Sequence, residues 1–286
     1  MIFTANAYHV DEGFKFWASY HAERGVKLVV AQHGGNFGTA LWISAEEHQI
    51  KISDRYYTWG WRSESSLQVV PLPAGKLVSE RRKIQSKPDG IILWTTMSLP
   101  RYSYFLYSVP VSSQMLDYLE EQRRFVKAVS PEVHRLLLLR LYMHDYGWDE
   151  KDRWAEMDPD IKIYGGSKSF IQQLNESRLC ISTYNSTTYL ETFAANFPTI
   201  LFWNPLHWEL RDSAKLYFDE LEKVGILHYT PESAAVKVNE IYRHPELWWQ
   251  STEVQRAKSM FCEQFARTSR DWLDEWTREF DQLVMK

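Results

Sequence analysis

Apolar residues follow two rhythms along this chain. Short continuous runs, VKLVVAQ at 26–32, GIILWTTMS at 90–98, DIKIYGG at 160–166, RLCISTYN at 178–185 and PTILFWN at 198–204, predict strands buried on both faces. Between them the spacing changes to three and four. Phe14, Trp17, Ala18 and His21 share one face of a helix closed by Gly25, while Met115, Leu119 and Phe125-Val126 point inward from 112–129. SKSFIQQLNES (167–177) and STTYLETFAAN (186–196) predict two more helices, and 251–286 predicts one or two long ones carrying Phe261, Phe265, Trp272, Trp276 and Phe280. IFTANAYHV (2–10), HQIKISDRYYTWGW (48–61) and HRLLLLRLYMHDYGW (134–148) are expected as further strands. Strands alternating with helices imply an α/β fold with parallel sheets and right-handed crossovers.

A connector divides the pattern. PLPAGKLVSERRKIQSKPDG (71–90) holds three prolines, two glycines and many charges, so a boundary is expected there, with residues 1–72 as one domain and 73–286, including the C-terminal helices, as the other. The first holds about three strands and one good helix, little for a free-standing doubly wound domain. It is therefore expected as a small or partial Rossmann-like unit, a natural short form or the second half of a longer parent.

Composition narrows the functions. The 286 residues are 44% hydrophobic and 24% charged, ordinary for a globular protein, and a net charge of -4 gives no field for nucleic acid; Arg81-Arg82-Lys83 reads as a solvated linker. Cys180 and Cys262 lie far apart without metal spacing, which suits a reducing compartment. There is no positive n-region followed by an apolar h-region, and the longest apolar run, 136–139, is far short of a membrane span. A cytoplasmic protein with at most peripheral membrane association is expected. Its 13 Trp, 16 Tyr and 14 Phe fill cores first, though flat rings also stack on sugars.

In open parallel sheets, ligands bind outside the carboxyl ends of the strands. The residues closing the apolar runs here include Asn6 and Tyr8, Gln32-His33-Gly34-Gly35, Thr95-Thr96-Met97-Ser98, Arg140 with His144-Asp145, Gly165-Gly166-Ser167-Lys168, and 183–188. In CISTYNSTTYLETFAANFPTILFWNP (180–205) a strand ends in hydroxyls and an amide that open a helix with Leu190, Phe193, Ala194 and Phe197 on one face. Such a helix start can hold a phosphate. Thr188 and Glu191 also have capping-box spacing, and on that alternative these residues are only caps.

This segment resembles the nucleotide-binding domain of GT-B glycosyltransferases. With AQHGGNFG (31–38) and ISDRYYTWGW (52–61), the chain is similar, over nearly its whole length, to the C-terminal half of bacterial surface-carbohydrate (O-antigen) transferases, distantly related to capsule and CDP-glycerol polymer transferases. The resemblance implies two Rossmann-like domains facing a cleft, a nucleotide-activated sugar as donor, and a glycan or lipid-linked glycan as acceptor. It places Glu191 at the donor ribose, Ser186, Thr187 and Thr188 at its phosphates, and His33 at the reacting centre. Asn185, Thr95, Arg140, Gly165 and Lys168 are further donor-side candidates, and Gln32, Gly34, Gly35 and Asn36 line the cleft beside His33. Asn196-Phe197-Pro198 departs from the family pattern, which has glycine before the proline.

A histidine freed from a strand end by two glycines has the reach to take a proton from an acceptor hydroxyl, or to bind a phosphate; the alternative is a structural hydrogen bond. Arg140, His144 and Asp145 have the chemistry to grip a phosphate or a carboxylate, or belong to an exposed loop. Asp158-Pro159-Asp160 precedes a strand and reads as a turn, Gly165-Gly166-Ser167-Lys168 lacks full P-loop spacing, and no metal site or cofactor is expected. The fold also suits transfer of a polyol phosphate from a CDP-linked donor, or a non-catalytic sugar-nucleotide or glycan-binding module.

Overall fold

The computed structural model describes residues 1–103 and 107–285, so the last residue of the expected second domain, Lys286, lies outside the described residues. The first unit runs β1 (Ile2–Thr4), α1 (Ala7–Val10), α2 (Glu12–Ala22), β2 (Leu28–Ala31), α3 (Ser44–Ile52), β3 (Arg55–Thr58) and β4 (Val69–Pro71). Its four strands are all parallel, in the order β1-β2-β3-β4. The connector follows with α4 (Gly75–Glu80) and a 3-10 turn, Arg81–Lys83.

The second unit then runs β5 (Ile91–Thr95), α5 (Gln114–Ala128), α6 (Pro131–Leu136), β6 (Leu137–Arg140), α7 (Glu150–Met157), β7 (Lys162–Ile163), α8 (Phe170–Leu174) and β8 (Ser177–Ser182). It continues through α9 (Thr187–Ala194), β9 (Thr199–Phe202), α10 (Asp212–Lys223), β10 (Leu227–His228), α11 (Pro231–Ile241), α12 (Pro245–Trp249), α13 (Thr252–Phe265) and α14 (Trp272–Val284). Its six strands are parallel in the order β10-β9-β8-β5-β6-β7. With β5 taken as first, this is the 3-2-1-4-5-6 order of a Rossmann sheet, whose direction of winding switches between β5 and β8. The protein is thus a pair of parallel-sheet α/β units, the second with the Rossmann strand order.

Three expected strands are shorter than their apolar runs. His48 to Ile52 complete α3, because burial of Glu46 and Gln49 with half-burial of Ile50 follows a helical face, whereas Ile50 and Ile52 alone suggest alternation. In 134–148 only Leu137–Arg140 is strand. The leucine run conceals α6, whose start is marked by Ser130, accepting from the Val133 N–H, and by Pro131 in the first turn. After β1 the chain turns helical at once, with Thr4 accepting from the Ala7 N–H.

One apolar core runs through both units, joining Leu28, Val30 and Tyr56 of the first sheet to Tyr189, Phe193, Phe218 and Phe261 of the second unit. Each such fully buried side chain stabilises by roughly 1.5–3 kcal/mol. The opposite face of the first sheet, Val29, Ala31, Tyr57 and Leu72, is covered by α14 through Trp276, Phe280 and Leu283. The last of the C-terminal helices, grouped with the second unit on sequence, therefore returns to the first. Trp276 donates its indole N–H to the Pro73 carbonyl at 3.0 Å, and its ring lies 5.0 Å from that of Tyr57.

Candidate functional site

The carboxyl ends of β6, β5 and β8 finish level, with Thr95 paired to Arg140 on one side and to Ser182 on the other. At this switch point lies a cavity of about 240 Å³ lined by Thr95, Thr96, Arg140, Leu141, Tyr142, Met143, Phe170, Tyr184, Thr188 and Glu191. Of the donor-side candidates, Thr95, Arg140, Thr188 and Glu191 meet here. Thr95 is 2% exposed and gives its hydroxyl to the Ile181 carbonyl at 3.1 Å, so it shapes the floor. Thr188 shares a 2.5 Å hydrogen bond with the Tyr184 hydroxyl.

Glu191 is not the partner of a capping box. Ser186 is the residue before α9 and no side chain caps the helix, while Glu191 pairs with Lys76 of α4 at 2.6 Å. Burial raises its carboxyl above the ordinary range, and the Lys76 ammonium acts against that rise. The helix ends at Asn196, which takes φ +56°, a left-handed geometry asparagine tolerates.

The loop after β2 reaches this helix directly. A Cβ placed on Gly35 would stand 2.0 Å from the Thr187 nitrogen and 2.1 Å from the Ser186 carbonyl carbon, so only glycine fits. At Gly34 the nearest atom would be Oγ1 of Thr187, at 3.7 Å. Ser186 and Thr187 therefore face Gly34-Gly35 and not the cavity, while the next residue, Thr188, lines the cavity. Gly38, at φ +77°, packs under the Trp61 ring and donates its N–H to the buried Glu46 carboxylate. Arg211, from the second unit, binds Glu46 at 2.6 Å and the Ala40 carbonyl at 3.0 Å, and its own N–H binds the Thr39 carbonyl at 3.0 Å. Asn185 adds a bond from Nδ2 to Oγ1 of Thr39 at 3.2 Å. The two units are clamped through segment 36–43.

His33 precedes the glycine contact and lies outside the 240 Å³ cavity. Desolvation, with the neighbouring His9 imidazole, pushes its pKa below the ordinary value against a backbone hydrogen bond at Ala5, so it is neutral at pH 7. The Phe37 ring meets it edge-on at 5.4 Å. Gln32 is 3% exposed and fully engaged: its Oε1 accepts from Trp59 N and from the Trp61 indole, and its Nε2 donates to the Gly34 carbonyl at 2.8 Å. It shapes the loop and does not face a ligand. The Asn36 carbonyl accepts from Thr39 and Ala40, closing the turn.

Gly165 and Lys168 stand aside. Gly165 faces open space, and Lys168 turns to Glu176 at 2.5 Å on the surface, although its carbonyl receives Arg140 at 3.3 Å. Asp145 caps a turn by accepting from the Trp148 and Asp149 N–H groups, His144 is exposed, and Asp158 pairs with His134 at 2.7 Å. Among the described residues, no three His, Cys, Asp or Glu side chains gather as a metal site. Sequence reasoning missed Leu141, Tyr142, Met143 and Phe170 in the cavity, and Lys76. Phe170 opens α8 after the capping serine Ser169, a signal that was legible; Lys76 was hidden in the connector.

A family model described as LIC12162 family transferase matches residues 1–280. No curated protein matches the chain. Among solved structures, the fold is similar to that of an α,α-trehalose-phosphate synthase (UDP-forming) from Burkholderia xenovorans, at 10% identity, over 93% of this chain and 71% of that one, with TM-score 0.47. It is also similar to WaaG, a glycosyltransferase involved in lipopolysaccharide biosynthesis (10% identity, 92% and 81% covered, TM-score 0.41), and to the wall teichoic acid polymerase TagF (10%, 89% and 67%, 0.41). At these identities and scores the likeness carries no residue roles.

Proposed function

The chain belongs to the LIC12162 family of transferases, and from that premise we propose that it is a glycosyltransferase, moving a sugar from a nucleotide-activated donor to a glycan or lipid-linked glycan of the bacterial surface. One observation carries the reading: Gly34-Gly35 of one unit is packed onto the uncapped start of α9, beside a cavity at the switch point of the other. The dipole of α9, with Thr188 at the cavity, would hold the donor phosphates. Glu191, fixed by Lys76, would accept from the ribose hydroxyls. His33, neutral at pH 7, would take the proton of the acceptor hydroxyl as its oxygen bonds to the anomeric carbon and the carbon–phosphate oxygen bond breaks, releasing the nucleotide. In this scheme helix and hydroxyl groups meet the leaving charge without a metal or cofactor. No described helix is long and apolar enough to cross a membrane.

The test is release of free nucleotide from UDP-, TDP-, GDP- and CMP-sugars, followed by chromatography, for the wild type and His33→Ala. Turnover of one donor class is expected, reduced about 10²-fold or more in His33→Ala while nucleotide binding persists. Undiminished turnover in His33→Ala sinks the role of the imidazole, and inertness toward every donor sinks the reaction.

A further inference from the structure

Resting on the nucleotide-donor reading of the same cavity, we infer that the site selects uracil or thymine over cytosine, and that Arg140 is the residue that reads the difference. The argument begins with distance. Phosphates held at the start of α9 and a ribose at Glu191, one turn along, fix one end of the ligand over β8. β6, which carries Arg140 at its carboxyl end, is two strands away in the order β8-β5-β6, roughly 9–10 Å at ordinary strand spacing. What reaches Arg140 from Glu191 is therefore the base and not a phosphate.

The chemistry at that end is one-sided. A guanidinium has donors and no acceptor. Here Nη1 is held from behind by Oε1 of Gln173, itself 1% exposed, and by the Lys168 carbonyl at 3.3 Å, with the Tyr164 ring 5.5 Å away. Among the described residues neither Nε nor Nη2 of Arg140 has a partner, and the side chain lines the cavity. Uracil and thymine present a carbonyl at C4 where cytosine presents an amine. Two donors facing each other in a partly desolvated site both stay unpaired, which a site built for an acceptor rejects strongly. The remaining lining, Leu141, Tyr142, Met143 and Phe170, offers apolar and aromatic faces to a flat ring.

Calorimetric titration of the whole protein with UDP, TDP, CDP, GDP and ADP tests this. UDP and TDP are expected to bind at least about tenfold more tightly than CDP. In Arg140→Gln, whose amide offers an acceptor as well as a donor, the ratio of UDP to CDP affinity is expected to fall to within about threefold, in protein whose melt without nucleotide stays cooperative. Gln173→Ala, which frees the guanidinium without removing it, is expected to narrow the ratio less. CDP or a purine binding most tightly to the wild type overturns the base reading and leaves the nucleotide site standing, as does an undiminished UDP preference in Arg140→Gln. Silence toward all five overturns both.

Discussion

Gly35→Ala places one methyl group at the point where the two units meet. Its Cβ would lie 2.0 Å from the Thr187 nitrogen and 2.6 Å from Cα of Ser186, whereas ordinary contact begins at 3.4 Å, and those neighbours are backbone that cannot swing aside. Loop and helix must separate by roughly 1.4 Å, an overpacking that costs typically about 1–3 kcal/mol. A shift near 1 Å in a group that positions a reactant costs on the order of 10²-fold in rate. The variant is expected to lose that much in urea-melt stability and turnover while keeping most of its nucleotide affinity, because the cavity behind Thr188 is untouched. Gly34→Ala, with its nearest atom at 3.7 Å, and Gly165→Ala, in open space, serve as controls within about threefold of wild type. A Gly35→Ala protein as stable and as active as the controls would refute the claim that this contact sets the geometry of the site.

Two further outcomes follow from buried charge. Glu150, 3% exposed, has its carboxyl pushed up to about 7 by burial, with Asp145 adding to the rise and a hydrogen bond to Ser98 opposing it. A folded-state value above the unfolded one of about 4.5 means stability falls as pH rises from 4.5 to 7 and is flat beyond, by at most ~3 kcal/mol. Glu150→Gln removes that slope in pH-dependent urea melts, and an identical slope in the variant would exclude Glu150 as its source. Arg211→Ala strands the Glu46 carboxylate in the clamp and is expected to cost about 3 kcal/mol, with Glu46→Gln added to it restoring part of the loss. Strict additivity in that double-mutant cycle would show that the pair does not act as a unit.

The architecture was largely legible because parallel strands buried on both faces announce themselves as unbroken apolar runs, as 91–95, 178–182 and 199–202 do. The misread stretches share one cause: apolar residues shared between a helix and the next strand, as in 134–140, carry no periodicity that separates the two, and only Ser130-Pro131 marks the break. At the candidate site, Thr95, Arg140 and Thr188 were findable because strand ends and a helix start locate them without any knowledge of packing, whereas Glu191 was pointed to only by the family resemblance. Gln32 was not separable from His33 by sequence, since the same loop supplies an exposed imidazole and a buried amide tied to Trp59 and Trp61. Lys76 reaches Glu191 only through the tertiary fold, from a connector whose composition suggests solvent.

The return of α14 to the first sheet ties the folding of that unit to a segment far along the chain. Val29, Ala31 and Tyr57 bury their face only against Trp276 and Phe280. A contact of such sequence separation closes a very long loop before it brings any gain, so the first sheet is expected to consolidate late in refolding.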